Sequence, residues 1–455
     1  MLHKPSPKLW WTAFFIFMVF SLNLLFLTQV SANGTDLDTQ LRNKLSSSGV
    51  TSLIPLLNES TAKVELGRFL FFDPLLSGNR DVSCATCHHP ELETADALAL
   101  SIGVGGRGLG TKRMADPERT RVARNAIELF NRGVEGWHTM FWDNRIAETA
   151  DGLVTPAGAQ LPEGLDNILA TQALFPVTSR DEMRGLVGDK DIFGQPNELA
   201  NFTDTEFGGI WQALSERIFS TAAYLPLFEA AYPGLEPQYL NITHIANAIA
   251  AFEASEWTFF DSPFDRHLAG NDTAMSQDAK LGALLFYGEA GCSACHSGSL
   301  LTDQQTHNIG VIPLGPGKSG SPVDMGVKLL SDQDTDLCAF RTPPLRNVTL
   351  TGPWMHNGAF STLEDVIWQH LDPEAALRLY DVAKLEPSLQ TTVKQDSELF
   401  ATLFTSLDPR LERARVMSDE DIDYLLAFLD ALTSPSALDL KDSRPDAVPS
   451  GLAFD

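Results

Sequence analysis

Cys84-Ala85-Thr86-Cys87-His88 decides how this chain folds, because the same arrangement returns 208 residues later as Cys292-Ser293-Ala294-Cys295-His296. Two thiols three positions apart can reach the two vinyl groups of one porphyrin, and the histidine that follows them is placed to bind its iron. Four of the five cysteines are used this way. The fifth, Cys338, reads as a buried structural thiol. A four-cysteine zinc site also uses Cys-x-x-Cys pairs but needs no histidine after each, and disulfides would leave both histidines unexplained. The sequence therefore points to two covalently bound haem c groups, with His88 and His296 as the proximal iron ligands.

Each motif follows a helical pattern. Thr61 to Phe72 places Val64, Leu66, Phe69, Leu70 and Phe72 at helical spacing and stops at Asp73-Pro74. Ahead of the second motif, Ser276 caps a helix carrying Leu281, Leu284, Leu285 and Phe286. Both copies contain a Leu-Gly pair, Leu66-Gly67 and Leu281-Gly282. The expected fold class is mainly α: two cytochrome c-like haem domains related by internal duplication, with loop-rich insertions. Asn241 to Phe260 is a further helix, and Ser418-x-x-Asp421 opens a late one with Ile422, Leu425, Leu426 and Leu429. Gly103-x-Gly105-x-x-Gly108 has dinucleotide-fingerprint spacing, but no strand precedes it, so it reads as a loop near the first haem.

The expected divisions are a signal peptide at 1–32, a flexible lead-in at 33–59 and an N-terminal haem domain at 60–255 with an insertion at about 143–240. A C-terminal haem domain at 256–433 and an extended tail at 434–455 complete the chain. Lys4 and Lys8, an apolar run from Leu9 to Leu27 and Val30-Ser31-Ala32 have the form of an export signal, which places the mature protein in the periplasm. The run is long enough to stay uncleaved as an anchor, the one route to a membrane. The formal charge is −26, and loss of the two lysines with residues 1–32 makes it −28. Nucleic acid and anionic membrane surfaces are excluded as partners, whereas a basic electron-transfer protein suits this field; an acidic surface also simply keeps a protein soluble.

The chain resembles the bacterial dihaem cytochrome c peroxidases and, within them, the MauG-related branch. Besides the haem motifs, the resemblance rests on Arg124-Asn125-Ala126, Phe141-Trp142-Asp143-Asn144-Arg145, Glu182-Met183, Leu268-Ala269-Gly270, Arg341-Thr342-Pro343, Leu345-Arg346-Asn347, Met355-His356-Asn357-Gly358 and Thr362-Leu363-Glu364. It implies a peroxidatic haem in the N-terminal domain and an electron-transfer haem in the C-terminal one. Hydrogen peroxide is then the oxidant, and a redox donor or an oxidisable protein is the partner.

Residue roles carry over position by position. Glu182, six residues after Pro176, matches the glutamate that assists O–O cleavage, and a carboxylate there suits proton transfer. Trp142 matches the tryptophan between the haems. Asn125, Thr351 and Pro353 match the ligands of one interdomain calcium ion, whose preference is for oxygen. Eight residues after Thr362, where relatives place methionine or tyrosine on the second haem, this chain has His370; Met355 or His356 is the alternative ligand. No histidine lies between Pro90 and Trp137, which resembles the branch whose first haem is open without reductive activation. Met114 and His138 remain as possible sixth ligands there.

The leading reading is an exported dihaem oxidoreductase that uses peroxide at the first haem and oxidises a protein partner through the second. The alternatives are a peroxide-detoxifying cytochrome c peroxidase fed by a small cytochrome or copper protein, and a non-enzymatic dihaem electron carrier.

Overall fold

The computed structural model describes residues 36–56 and 59–455. The expected signal segment, residues 1–32, lies outside them. Among the described residues no helix is long and apolar enough to cross a membrane.

Among the described residues helices dominate, and sheet is confined to two small antiparallel pieces. The first surprise is residues 36–47, expected to belong to a flexible lead-in: they form helix α1. Leu41 and Leu45 are fully and almost fully buried against Phe264, Met275 and Leu425 of the second core, so apolar burial holds this segment in place. Helix α2 is Thr61–Phe72, capped by Ser60, whose side chain accepts from the Lys63 amide. The short α3 (Ile168–Ala173) and the longer α4 (Phe207–Ser220) belong to the expected insertion. A three-stranded sheet of β1 (Thr139–Met140), β2 (Ile146–Thr149) and β3 (Gly152–Val154) precedes them. Helix α5 is Ile242–Glu256, α6 is Gln277–Phe286 with Ser276 as its cap, α7 is Leu363–Leu371, and α8 is Asp419–Asp430.

Two helix pairs hold the haem motifs. Helix α2 crosses α5 at Gly67, where a Cβ would stand 2.5 Å from the carbonyl carbon of Ala248 and 2.9 Å from Phe252 Cβ. Helix α6 crosses α8 at Gly282, where the same atom would meet the carbonyl carbon of Tyr424 at 2.5 Å and Phe428 Cβ at 3.0 Å. Only glycine permits such approaches. The first pair is enclosed by a core containing Phe71, Phe252, Trp257 and Trp211, and the second by one containing Phe264, Phe286 and Phe428. A third apolar cluster joins them, with Ala99, Leu100 and Trp142 from one side and Ile312, Phe340 and Phe360 from the other.

The tail at 434–455, expected to be extended, begins with helical turns. Short helical turns at Pro435–Leu438 and Lys441–Ser443 lead into a strap that lies on the first core. Ser450 donates to Asp73 (2.7 Å), Phe454 meets the Phe72 ring edge-on (6.0 Å), and Thr86, inside the first haem motif, donates to the Asp455 carboxylate (3.0 Å).

Candidate haem-binding active site

The two motifs fold alike. Cys84–Cys87 is one helical turn closed by a His88 amide bond to the Cys84 carbonyl (3.0 Å), and His296 bonds back to Cys292 in the same way (2.9 Å). Each imidazole commits Nδ1 to a main-chain carbonyl: His88 to Thr94 and His296 to Leu301, both at 3.1 Å. That leaves Nε2 as the nitrogen that can bind iron, and the carbonyl partner fixes the ring's orientation. Burial pushes both rings down to about 4, so they are neutral and able to ligate at any physiological pH.

Each motif opens onto its own cavity. The second is lined by Cys292, Cys295, His296 and, from α7, His370. His370 also ties its Nδ1 to a carbonyl, that of Val366 (2.8 Å), and its ring centre stands 6.1 Å from that of His296. Two metal–imidazole bonds of about 2 Å, plus about 1 Å from each nitrogen to its ring centre, sum to about 6 Å, so the pair fits one iron between them. Met355 and His356 line the same cavity. His356, however, lies flat on Phe340 (3.5 Å, 9°) and meets Trp142 edge-on.

The first cavity is lined by Cys84, Cys87, His88 and Glu182, and His88 is its one imidazole among the described residues. Met114 is 69% exposed, and His138 points outward toward Glu148; neither lines a cavity. Glu182 sits on a single π-helical turn, Arg180–Arg184. Gly103 presses on that turn: a Cβ there would stand 2.5 Å from the Glu182 carbonyl oxygen and 2.9 Å from its Cα. Thus the glycine-rich loop is a clamp on the glutamate's backbone. Burial raises the Glu182 carboxyl above the usual range, while Arg145 and Lys318 oppose that rise.

Trp142 lines both cavities, 8% exposed, its indole N–H donating to the Asn125 carbonyl (3.0 Å). Asn125, Thr351 and Pro353 share the wall of the second cavity, the Asn125 amide nitrogen being spent on the Leu98 carbonyl (2.8 Å). Cys338 is buried, its thiol pushed up to about 12 by burial, as an inert thiol should be.

Other lining residues carried no sequence signal. Gln172, on α3, faces the first cavity, as does Lys318 from the far half of the chain. Arg132 lines the first cavity and Arg341 both, and each keeps a buried guanidinium nitrogen without a protein partner. Burial, with Arg132 nearby, drives Arg341 down to about 9 against the attraction of Glu128. Arg132 is paired with Glu128 (3.0 Å) through its other nitrogen, and the free guanidinium N–H groups facing a haem-sized cavity fit propionates, so the donor set suits haem in axial ligands, thiols and counter-charge alike.

Paired Cys-x-x-Cys-His cavities, one with two facing imidazoles and one with a single imidazole and a buried carboxyl in its lining, define a dihaem c-type oxidoreductase. The family model described as di-haem cytochrome c peroxidase matches residues 61–273. Methylamine utilization protein MauG of Methylorubrum extorquens is 33% identical over 309 residues, 67% of this chain and 67% of that protein. Cytochrome c551 peroxidase of Pseudomonas aeruginosa is 29% identical over 303 residues, 67% and 70% of the two chains. A crystal structure of a MauG-like protein associated with microbial copper homeostasis superposes with a TM-score of 0.58 at 25% identity, covering 86% of this chain and 96% of that one. The chain belongs to the di-haem cytochrome c peroxidase family, as a peroxidase-type oxidoreductase with two haem c groups. The electron-carrier alternative is set aside.

Proposed function

We propose that this is an exported, MauG-like enzyme in which the haem on Cys84 and Cys87 takes peroxide and the haem on Cys292 and Cys295 passes oxidising equivalents to a protein partner. The observation that carries this is the asymmetry of the two cavities: His296 faces His370, whereas His88 has no second imidazole in its cavity among the described residues and shares it with Glu182. The haems supply the electrons that reduce peroxide. The protein's part is proton handling and positioning. Glu182 takes the proton from the peroxide oxygen nearest the iron and returns it to the far oxygen, which leaves as water. Trp142, packed between the cavities and fixed by its bond to Asn125, shortens the path between the two haems. His88, His296 and His370 hold iron, and Asn125 with the carbonyls of Thr351 and Pro353 supplies oxygen ligands to one calcium ion between the halves.

The matched glycine crossings of α2 on α5 and α6 on α8, each just ahead of a haem motif, support internal duplication of one haem domain. The periplasm is the expected location, since the thioether motifs fit attachment outside the cytoplasm.

One equivalent of peroxide added to the fully oxidised holoprotein tests this reading. A prompt change in the absorbance of both haems, followed by oxidation of tryptophan or tyrosine on an added protein partner, is expected. A protein that ignores peroxide until one electron has been added is instead a peroxidase awaiting activation.

A further inference from the structure

The first cavity is lined both by Glu182 and by residues 316–320, which lie beyond the second haem motif in the chain. Gly315-Pro316-Gly317-Lys318-Ser319-Gly320 forms a finger whose three glycines all have positive φ, between +72° and +86°. A Cβ at Gly317 would stand 2.6 Å from the carbonyl carbon of Pro322, so the turn closes only with glycine. The finger is rooted at its base. Gly315 N–H donates to Thr392 Oγ1 (2.9 Å), the Lys394 amide donates to the Pro313 carbonyl (2.9 Å), and Asn357 donates to the Ile312 carbonyl (2.9 Å). Leu100, from the first half, packs directly on Gly315. A rigid tip therefore carries one lysine into the cavity of the other half.

Lys318 Nζ stands 3.6 Å from Asp143, which also binds Arg124 (2.5 Å) and Arg145 (3.3 Å). Arg124 is further neutralised by Asp324 (2.5 Å), and Arg145 is pinned over the Phe141 ring (3.7 Å). Three cations thus converge on Asp143, with Asp324 as the second acid. One positive charge is in excess within this cluster, at a cavity that Asp181, Glu182, Asp204 and Glu253 also line.

We propose that Lys318 is a positioning residue for the peroxide reaction: its ammonium, delivered across the interface by the glycine finger, holds Glu182 ionised and ready to accept the peroxide proton. This rests on the reading of Glu182 as the acid/base. Burial and Asp181 disfavour the Glu182 carboxylate, whereas Arg145 and Lys318 favour it and the Ser179 hydroxyl donates to it. Burial with Arg145 and Arg124 nearby pulls the ammonium down to about 8, against the attraction of Asp143 and Asp324, and so leaves it charged at neutral pH. A carboxyl already raised by burial titrates still higher once a neighbouring cation is removed, and the protein then loses proton-accepting capacity as pH falls through that higher value.

Cyanide reads this directly, because hydrogen cyanide must give up its proton when the anion binds ferric haem. Its binding rate to the first haem is measured against pH for the wild-type holoprotein and the Lys318→Met, Lys318→Arg and Glu182→Gln variants. Haem content and the low-spin spectrum of the second haem serve as fold controls. The wild type should lose rate as pH falls through the Glu182 value. Lys318→Met should move that limb up by about one unit, or about tenfold in rate on the slope, and Lys318→Arg should restore it. Coincident limbs for wild type and Lys318→Met, with the limb absent in Glu182→Gln, overturn the lysine's role and leave the glutamate's standing. A limb that survives in Glu182→Gln overturns both.

Discussion

Gly103→Ala puts a single methyl group against the turn that carries Glu182. The new Cβ would stand 2.5 Å from the Glu182 carbonyl oxygen and 2.9 Å from its Cα, with the Asp181 carbonyl closer still. Comfortable contact needs about 3.5 Å, so the loop and the turn must part by about 1 Å. The turn cannot yield elsewhere without loss: Gly78 N–H holds the Met183 carbonyl (2.8 Å), and Val104 N–H reaches Asp181 (3.3 Å). A displacement of about 1 Å at a positioned acid/base costs roughly 10²-fold in rate, close to the roughly 10²–10⁴-fold expected for losing the group altogether in Glu182→Gln. Stopped-flow absorbance of the oxidised protein mixed with excess peroxide measures that rate. Haem content and the ferric spectrum before mixing should be those of the wild type, since Gly103 touches no iron ligand. A Gly103→Ala rate within threefold of wild type would refute the clamp.

The remaining predictions concern the second haem and the frame. His370→Ala should keep both haems, which are covalently held, but convert the second from low to high spin; an unchanged low-spin spectrum would return the ligand to Met355 or His356. Trp142→Phe should leave the first haem's reaction with peroxide intact while slowing the response of the second by roughly tenfold, equal to about 1.4 kcal/mol on that step. Simultaneous responses at the wild-type rate would remove the indole from the path. Gly282→Ala should force α6 from α8 at an overpacking cost of about 1–3 kcal/mol, offset by about 1 kcal/mol of helix propensity. A melting temperature below that of the wild type is the expected result, and an unchanged one would show that the crossing is looser than its 2.5 Å approach implies.

What could be read from the sequence was what is local. The thiols and imidazoles of each haem motif lie within five residues, and the Ser60, Ser276 and Ser418 caps stand directly before the helices they start. The Leu-Gly pairs were visible as a repeat, but that the glycines are crossing points became evident only when Ala248 and Tyr424 came up against them. Residues that act by convergence left no trace. Lys318 reaches the Glu182 cavity from more than 130 residues away in a stretch that reads only as a turn, and Gln172 sits in an ordinary short helix. The partners of the lead-in and of the tail are equally distant in the chain. Leu41 and Leu45 find their apolar partners more than 200 residues downstream, and Ser450 and Phe454 find Asp73 and Phe72 at the other end of the chain. A short polar segment with two or three apolar side chains gives no sign by itself of which surface will bury them.

In the proposed mechanism the two haems differ, the first open and the second closed by His296 and His370. Electron paramagnetic resonance of the purified, fully oxidised protein tests it most directly. One high-spin and one low-spin ferric signal, both lost on adding stoichiometric peroxide, is the predicted result. Two low-spin signals that persist in peroxide would contradict it.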